Sequence, residues 1–297
     1  MIHFDASVWI RLACSALYVL LAPFFGGLLA GVDRRITARM QGRQGPPVLQ
    51  PFYDVLKLFE KRRVSVNKLQ NFFIVLFFVF LVFTGALFFA GGDLLLFIFA
   101  FTLAALFFIL AAYAANSPYS SIGAERELLQ MMAYEPMVLL TAVGFYMATG
   151  SFKVADIVVG DAPAVLLIPA LFVGFCYVLT FKFRKSPFDL STSHHGHQEI
   201  VKGITTEFSG SSLALIEIAH WYEATFLIGF LALFFVWSNP LSILLGLAAA
   251  LLVYFLEILV DNTFARVKWQ LAIQSAWIVA SVLGFLNLLA LTLMNRG

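Results

Sequence analysis

Eight apolar runs mark the chain, at 8–31, 72–90, 94–115, 129–149, 162–181, 212–237, 241–260 and 270–294. Each comes near the roughly 20 residues that a helix needs to cross a hydrocarbon core. In lipid, backbone polar groups are satisfied only inside helices or closed barrels. The runs are continuous rather than alternating, which excludes the strand pattern of a membrane barrel. Charged residues make up 12% of the 297, against about 25% in soluble domains, and the mean hydropathy is +0.91. The expectation is an all-α integral membrane protein, one polytopic domain over 1–297 with about eight transmembrane helices. The 33 phenylalanines suit a lipid-facing surface. The bilayer, not nucleic acid, is the expected surroundings of such a chain.

Charge sets the orientation. Of the 19 Lys and Arg, sixteen fall in the odd-numbered connections, leaving only Arg11, Lys153 and Arg296 elsewhere. By the positive-inside rule those connections are cytoplasmic and both termini lie outside. Asp5 flanks the first run and Arg11 interrupts it, without the basic start and small-residue cleavage site of a signal peptide. The first helix is therefore expected to be retained. Short turns, Gly91-Gly92-Asp93 and Ser238-Asn239-Pro240, suit tight antiparallel hairpins.

The cytoplasmic loop 32–71 predicts a helix of its own. Val48, Phe52, Val55, Leu56 and Phe59 fall on one helical face, Asp54, Lys57 and Lys61 on another, and Pro51 suits a first turn. Such a helix lies flat at the membrane surface. The loop 182–211 carries Asp189, Glu199 and Glu207 with His194, His195 and His197. His-His-x-His without cysteine is a poor metal signature, and histidine titrates near neutrality, so proton exchange or partner contact is the expected use. Cys14 and Cys176 each lie in an apolar run and read as small core residues. Without a C-x-x-C pair, the chain is expected to hold no iron–sulfur or nickel–iron centre of its own.

Several acids fall inside or beside the apolar runs: Glu135, Glu217, Glu223, Glu257 and Asp261. A charge at mid-bilayer costs about 2.5–3.5 kcal/mol on insertion scales, so these groups face protein or water. Successive steps of three residues place Glu217, His220 and Glu223 within about a 120° arc of one helix. That arc could line a single aqueous path. Glu257 and Asp261, one turn apart near a helix end, are expected to reach the interface or to pair with Arg266 and Lys268. Glu135 precedes Pro136, which removes a backbone donor and favours a polar neighbour.

Four motifs carry a family resemblance. They are 43–58 (RQGPPVLQPFYDVLKL), Asn116-Ser117-Pro118-Tyr119 leading into 123–136 (GAERELLQMMAYEP), Ser186-Pro187-Phe188-Asp189-Leu190, and Glu207-Phe208-Ser209-Gly210. Together with the eight runs they resemble the complex I subunit 1 family over nearly the whole chain. That family builds the quinone chamber of respiratory NADH dehydrogenases and supplies a membrane subunit to energy-converting hydrogenases. Four departures are similar to the Ech-type hydrogenase group and its carbon-monoxide-linked relatives. Pro46 is followed directly by Pro47-Val48-Leu49-Gln50, Glu127-Leu128-Leu129 precedes Gln130, the histidine run replaces an acidic stretch, and His220 stands where quinone-type members usually have Glu.

The resemblance implies a membrane-anchoring, proton-relay subunit of a ferredoxin-dependent [NiFe] hydrogenase that couples hydrogen evolution to ion translocation. The alternative it leaves is the quinone-chamber subunit of a complex I-type oxidoreductase. The implied partners are a NiFe large subunit, a small iron–sulfur subunit, a ferredoxin-like subunit and an antiporter-like membrane subunit. The metal centres would lie in those partners, and the location would be a prokaryotic cytoplasmic membrane. The implied proton path is Glu135, Asp189, Glu199, Glu207, Glu217, His220 and Glu223. Docking to the soluble arm is expected at Arg43, Asp54, Lys57, Glu125, Arg126, Glu127, Arg184, His194, His195 and His197.

Overall fold

The computed structural model describes residues 6–62, 64–65, 67–185, 187–192 and 199–294. His194, His195 and His197 lie outside the described residues. The elements are α1 (Ala6–Met40), α2 (Gln50–Glu60), α3 (Lys68–Phe89), α4 (Leu94–Tyr113), α5 (Pro118–Thr149), α6 (Val154–Val158), α7 (Pro169–Lys182), α8 (Ser211–Leu233), α9 (Leu241–Thr263), α10 (Trp269–Val279) and α11 (Phe285–Met294). Among the described residues there is no β-strand. Seven helical segments are long and apolar enough to span a membrane, with α10 and α11 joined through a π-helical turn, Ala280–Gly284, into one of them.

The expected fifth span, 162–181, is not one helix. It splits into a 3₁₀ turn, Ala164–Leu166, and the 14-residue α7. At 1.5 Å per residue α7 reaches about 21 Å, short of the ~30 Å core. Pro169 in the first turn marks the break, and Ile168 before it sits outside the helical region at φ −122°, ψ 47°. The buried helix start is satisfied from far along the chain. Asn287 of α11 accepts from the Ala170 and Leu171 amides (2.9 and 3.1 Å) and donates to the Leu167 carbonyl (3.1 Å).

Two helices run past the bilayer. α1 continues to Met40, carrying Asp33, Arg34 and Arg39 on helix rather than loop, and α5 begins at Pro118, so Glu125, Arg126 and Glu127 are helical too. α2 forms where expected, but only part of its apolar face is covered. Pro51 and Val55 are buried and Phe52 packs on Trp221 (5.0 Å), while Leu56 and Phe59 stay exposed. Glycines on α1 make room for this. A Cβ on Gly31 would lie 1.8 Å from the Val48 carbonyl oxygen, and one on Gly26 2.2 Å from that of Trp221.

The phenylalanines divide between two environments. Phe24, Phe72, Phe99 and Phe285 are exposed as expected, whereas Phe97, Phe108, Phe145, Phe175, Phe230 and Phe234 are fully buried. The buried rings meet largely edge to face, as at Phe97–Phe230 (5.5 Å, 86°) and Phe175–Phe230 (4.7 Å, 62°), the geometry that a ring quadrupole favours. Cys14 also differs from expectation: it is exposed on α1 rather than in the core.

Candidate functional site: a charged chamber at the end of α7

The last turn of α7 fans three cations in three directions. After Lys182 the chain folds back, Arg184 adopting a left-handed conformation (φ 55°) while the Lys185 amide donates to the Thr180 carbonyl (2.9 Å). Bringing a non-glycine residue into that region costs about 1–2 kcal/mol. The turn gains from placing positive charge where the helix dipole is negative.

Lys182 points into the bundle and is 8% exposed. Its ammonium donates to the Tyr134 hydroxyl (2.7 Å), lies 3.8 Å from Glu223 Oε1, and rests 3.8 Å from the Phe101 ring centre. The other oxygen of Glu223 is 3.2 Å from His220 Nδ1. His220 is held edge-on by Phe77 and Phe108, each with ring centres 5.9 Å away. Arg184 reaches Glu127 (3.8 Å), whose second oxygen accepts from Ser191. Lys185, 4% exposed, pairs with Asp33 of α1, which also accepts from the Tyr254 hydroxyl (3.3 Å).

Tyr134, Lys182, Arg184, Glu127, Gln130 and Glu223 line one cavity of about 20 Å³, room for a water molecule. The Gln130 Nε2 atom in its wall is buried without a hydrogen-bond partner among the described residues. A second cavity, about 70 Å³, is lined by Glu135 and Thr102 and shares Tyr134 and Phe101 with the first. Glu135 Oε1 is likewise buried and unpartnered among the described residues. Tyr134 is therefore the wall between the Lys182–Glu223–His220 cluster and Glu135. These groups can carry a proton in steps, with water completing the gaps.

The remaining expected sites fall as follows. Asp189 and Glu199 both accept from Arg126 (3.3 and 3.0 Å), a buried side chain stacked over Trp269 (4.8 Å), so Arg126 ties the third loop to α5 and α10. Glu217 is half-buried on α8 and makes no hydrogen bond or ion pair among the described residues. The expected three-residue arc thus yields one bonded pair, His220–Glu223. Glu207 contributes its backbone carbonyl, to Gln70 (3.3 Å). Arg43, Lys57 and Glu125 are exposed, Arg43 against Gln41. Asp54 accepts from Arg34 (2.7 Å) and Gln50 (2.9 Å). Partial burial pulls its carboxyl up, but these bonds and the charges of Arg34 and Lys57 outweigh that and hold it below the ordinary 3.8.

Glu257 was expected at the interface. It is instead 6% exposed inside the bundle, with Oε2 unpartnered among the described residues. Lys182, Tyr134, Lys185 and Asp33 were not singled out from the sequence. Glu127, Gln130 and Tyr134 at i, i+3 and i+7 were the available signal, since that spacing puts them on one helical face.

Fold and site together define a multi-pass membrane protein with a buried acid–base chamber at its charged end. Residues 12–292 match the NADH dehydrogenase family, and the chain belongs to it. It is 28% identical to hydrogenase-4 component C of Escherichia coli, over 90% of each chain. It is 30% identical to an NADH-quinone oxidoreductase membrane chain of Rubrobacter xylanophilus, over 91% of this chain and 88% of that one. Formate hydrogenlyase subunit 4 of Escherichia coli is 28% identical over 89% of this chain and 94% of its own. Among solved structures, a chain of the membrane-bound sulfane sulfur reductase, an archaeal respiratory membrane complex, superposes with TM-score 0.81 at 26% identity, over 94% of this chain and 99% of that one. The chain is thus a membrane subunit of the hydrogenase or complex I-like type.

Proposed function

We propose that this chain is the membrane-anchoring, proton-relay subunit of an energy-converting [NiFe] hydrogenase driven by reduced ferredoxin. The observation that carries the relay is the continuous contact of Tyr134, Lys182, Glu223 and His220 beside Glu135. The hydrogenase assignment draws on the direct Pro46-Pro47 junction, on His220, and on the two hydrogenase-type relatives. The proposed partners are a NiFe large subunit, a small iron–sulfur subunit, a ferredoxin-like subunit and an antiporter-like membrane subunit. In this reading both termini face outward from a prokaryotic cytoplasmic membrane.

The partner's nickel–iron centre supplies the reduction of two protons to hydrogen by two ferredoxin electrons. This chain's residues supply proton positions and a charge response. Lys182 and Glu223 stand 3.8 Å apart, an ion-pair distance. Closing to about 2.8 Å, or inserting one water, lets a proton pass from Nζ to Oε1 and discharges both groups. His220 Nδ1, on the other carboxylate oxygen, then gives or takes the next proton. A charge change at Glu127–Arg184, near the third loop, is felt at Lys182 across the shared cavity. Moving one charge against 100 mV requires about 2.3 kcal/mol, which the redox reaction provides.

The test is a mild-detergent purification of the tagged chain from its native membranes. Co-purified nickel, with hydrogen evolution from reduced ferredoxin, is the expected result. An intact complex without nickel that reduces quinone overturns the proposal in favour of the quinone-chamber reading, the one that the name of the 30% identical Rubrobacter relative suggests.

A further inference from the structure

A second titratable group lies on the far side of α7, in the seam of α1 and α9, and the relay above makes no use of it. Glu257 is 6% exposed and its Oε2 has no partner among the described residues. One turn before it, Tyr254 donates to Asp33, which also holds Lys185. Asp33 does not stand alone. Thr37 donates to its other oxygen (3.4 Å), Asn262 donates to Thr37 (3.3 Å), and the exposed Gln41 donates to Asn262 (3.1 Å). A polar string therefore runs from the surface at Gln41 down the α1–α9 seam to Asp33 and Tyr254, and stops one helical turn short of a bare carboxyl oxygen.

An unpaired carboxylate oxygen in an apolar interior is costly unless it binds something. The charges that act on Glu257 are the Lys185 ammonium beyond α7 and the Asp261 carboxyl one turn on, and it in turn acts on the Cys176 thiol of α7. A metal cation would need several converging oxygens and would be repelled by Lys185. Among the described residues no three acidic, histidine or cysteine side chains converge. A proton needs one oxygen and tolerates the lysine.

We propose that Glu257 is a proton-binding carboxyl filled from the Gln41 surface along the α1–α9 seam, separate from the Lys182–Glu223–His220 cluster. Lys182 and Lys185, three residues apart on one turn, put the two sites under a common hub. Occupancy of Glu257 is read without turnover, so failure of the hydrogenase reading leaves the inference standing.

The test is infrared difference spectroscopy of the assembled complex after a pH step, in the protonated-carboxyl stretching region. The wild type is expected to show a deuterium-sensitive band that E257Q lacks. E257D is expected to move the band, and Y254F to keep it while slowing its exchange with deuterated solvent. A full band in E257Q, or an unmoved band in E257D, overturns the inference, and E257D decides alone where E257Q does not assemble. Loss of the wild-type band on adding Na⁺ at fixed pH also overturns it, assigning the carboxyl to a metal cation.

Discussion

Lys182 shows how much a single residue can hold together. It is one of the few cations inside the bundle, and its contacts join α7 to α5 through Tyr134, to α8 through Glu223 and to α4 through Phe101. Removing one partner of a buried pair costs about 3–5 kcal/mol, whereas replacing both with apolar groups is often neutral. K182M is therefore expected to lower the unfolding midpoint in nanodiscs sharply, and K182M with E223L to recover most of the loss. Equal losses in the single and double variants would show that the pair is not the origin. From sequence alone Lys182 was only one of sixteen loop cations. Nothing local distinguishes it from Lys202, because its burial depends on where the left-handed turn at Arg184 sends the chain. Glu223 and His220 were legible, being polar groups at helical spacing inside an apolar run. Glu217 shared that spacing, but the arc did not reveal which of its members would be bonded.

At the scale of the element, hydropathy located the spans well because burial in lipid is a property of each segment by itself. It failed at α7, where the outcome is tertiary. Pro169 breaks the run, and the exposed helix start is tolerated only because Asn287, on another helix, caps it. Losing such a cap costs about 0.5–2 kcal/mol, and 1.4 kcal/mol is tenfold in an equilibrium. N287A is expected to speed hydrogen exchange at the Ala170 and Leu171 amides by roughly that factor, while amides in α4 keep their protection. Unchanged exchange at 170–171 would mean that the cap is not needed. The surface helix α2 offers a pH test. Asp54 has its pKa held below the ordinary 3.8, so its bonds to Arg34 and Gln50 contribute fully above that value. They are lost as pH falls through the lower folded value. Both side chains are nearly half exposed, which keeps the contribution small, about 0–1 kcal/mol. Tryptophan emission from Trp221, on which Phe52 packs, is expected to report this loosening of α2 only below about pH 4, and D54N to show it already at neutral pH. Emission from D54N identical to wild type would place the hold on α2 elsewhere.

For the whole molecule, the overall fold was the most legible feature. Eight runs, the charge asymmetry and four ordered motifs gave the family, and the match over 12–292 agrees. The chamber was legible only in part, because it forms where four sequence-distant segments meet: 127–134 on α5, 182–185 after α7, 189–199 in the third loop and 220–223 on α8. Two of those segments show their titratable groups plainly. The other two are recruited by the fold. The consequence is a bundle with a polar chamber at one end and a largely aromatic core beneath it, so charge delivered at the loops has one hydrated place to go.

The central claim is that charge moves through Lys182, Glu223 and His220. It is tested most directly by reconstituting the purified complex with E223Q in proteoliposomes, supplying reduced ferredoxin, and following hydrogen production and ion translocation together. Assembly with normal nickel content, and translocation at least tenfold below wild type, is the result expected. Translocation at the wild-type rate and stoichiometry would contradict it and place the path outside this cluster.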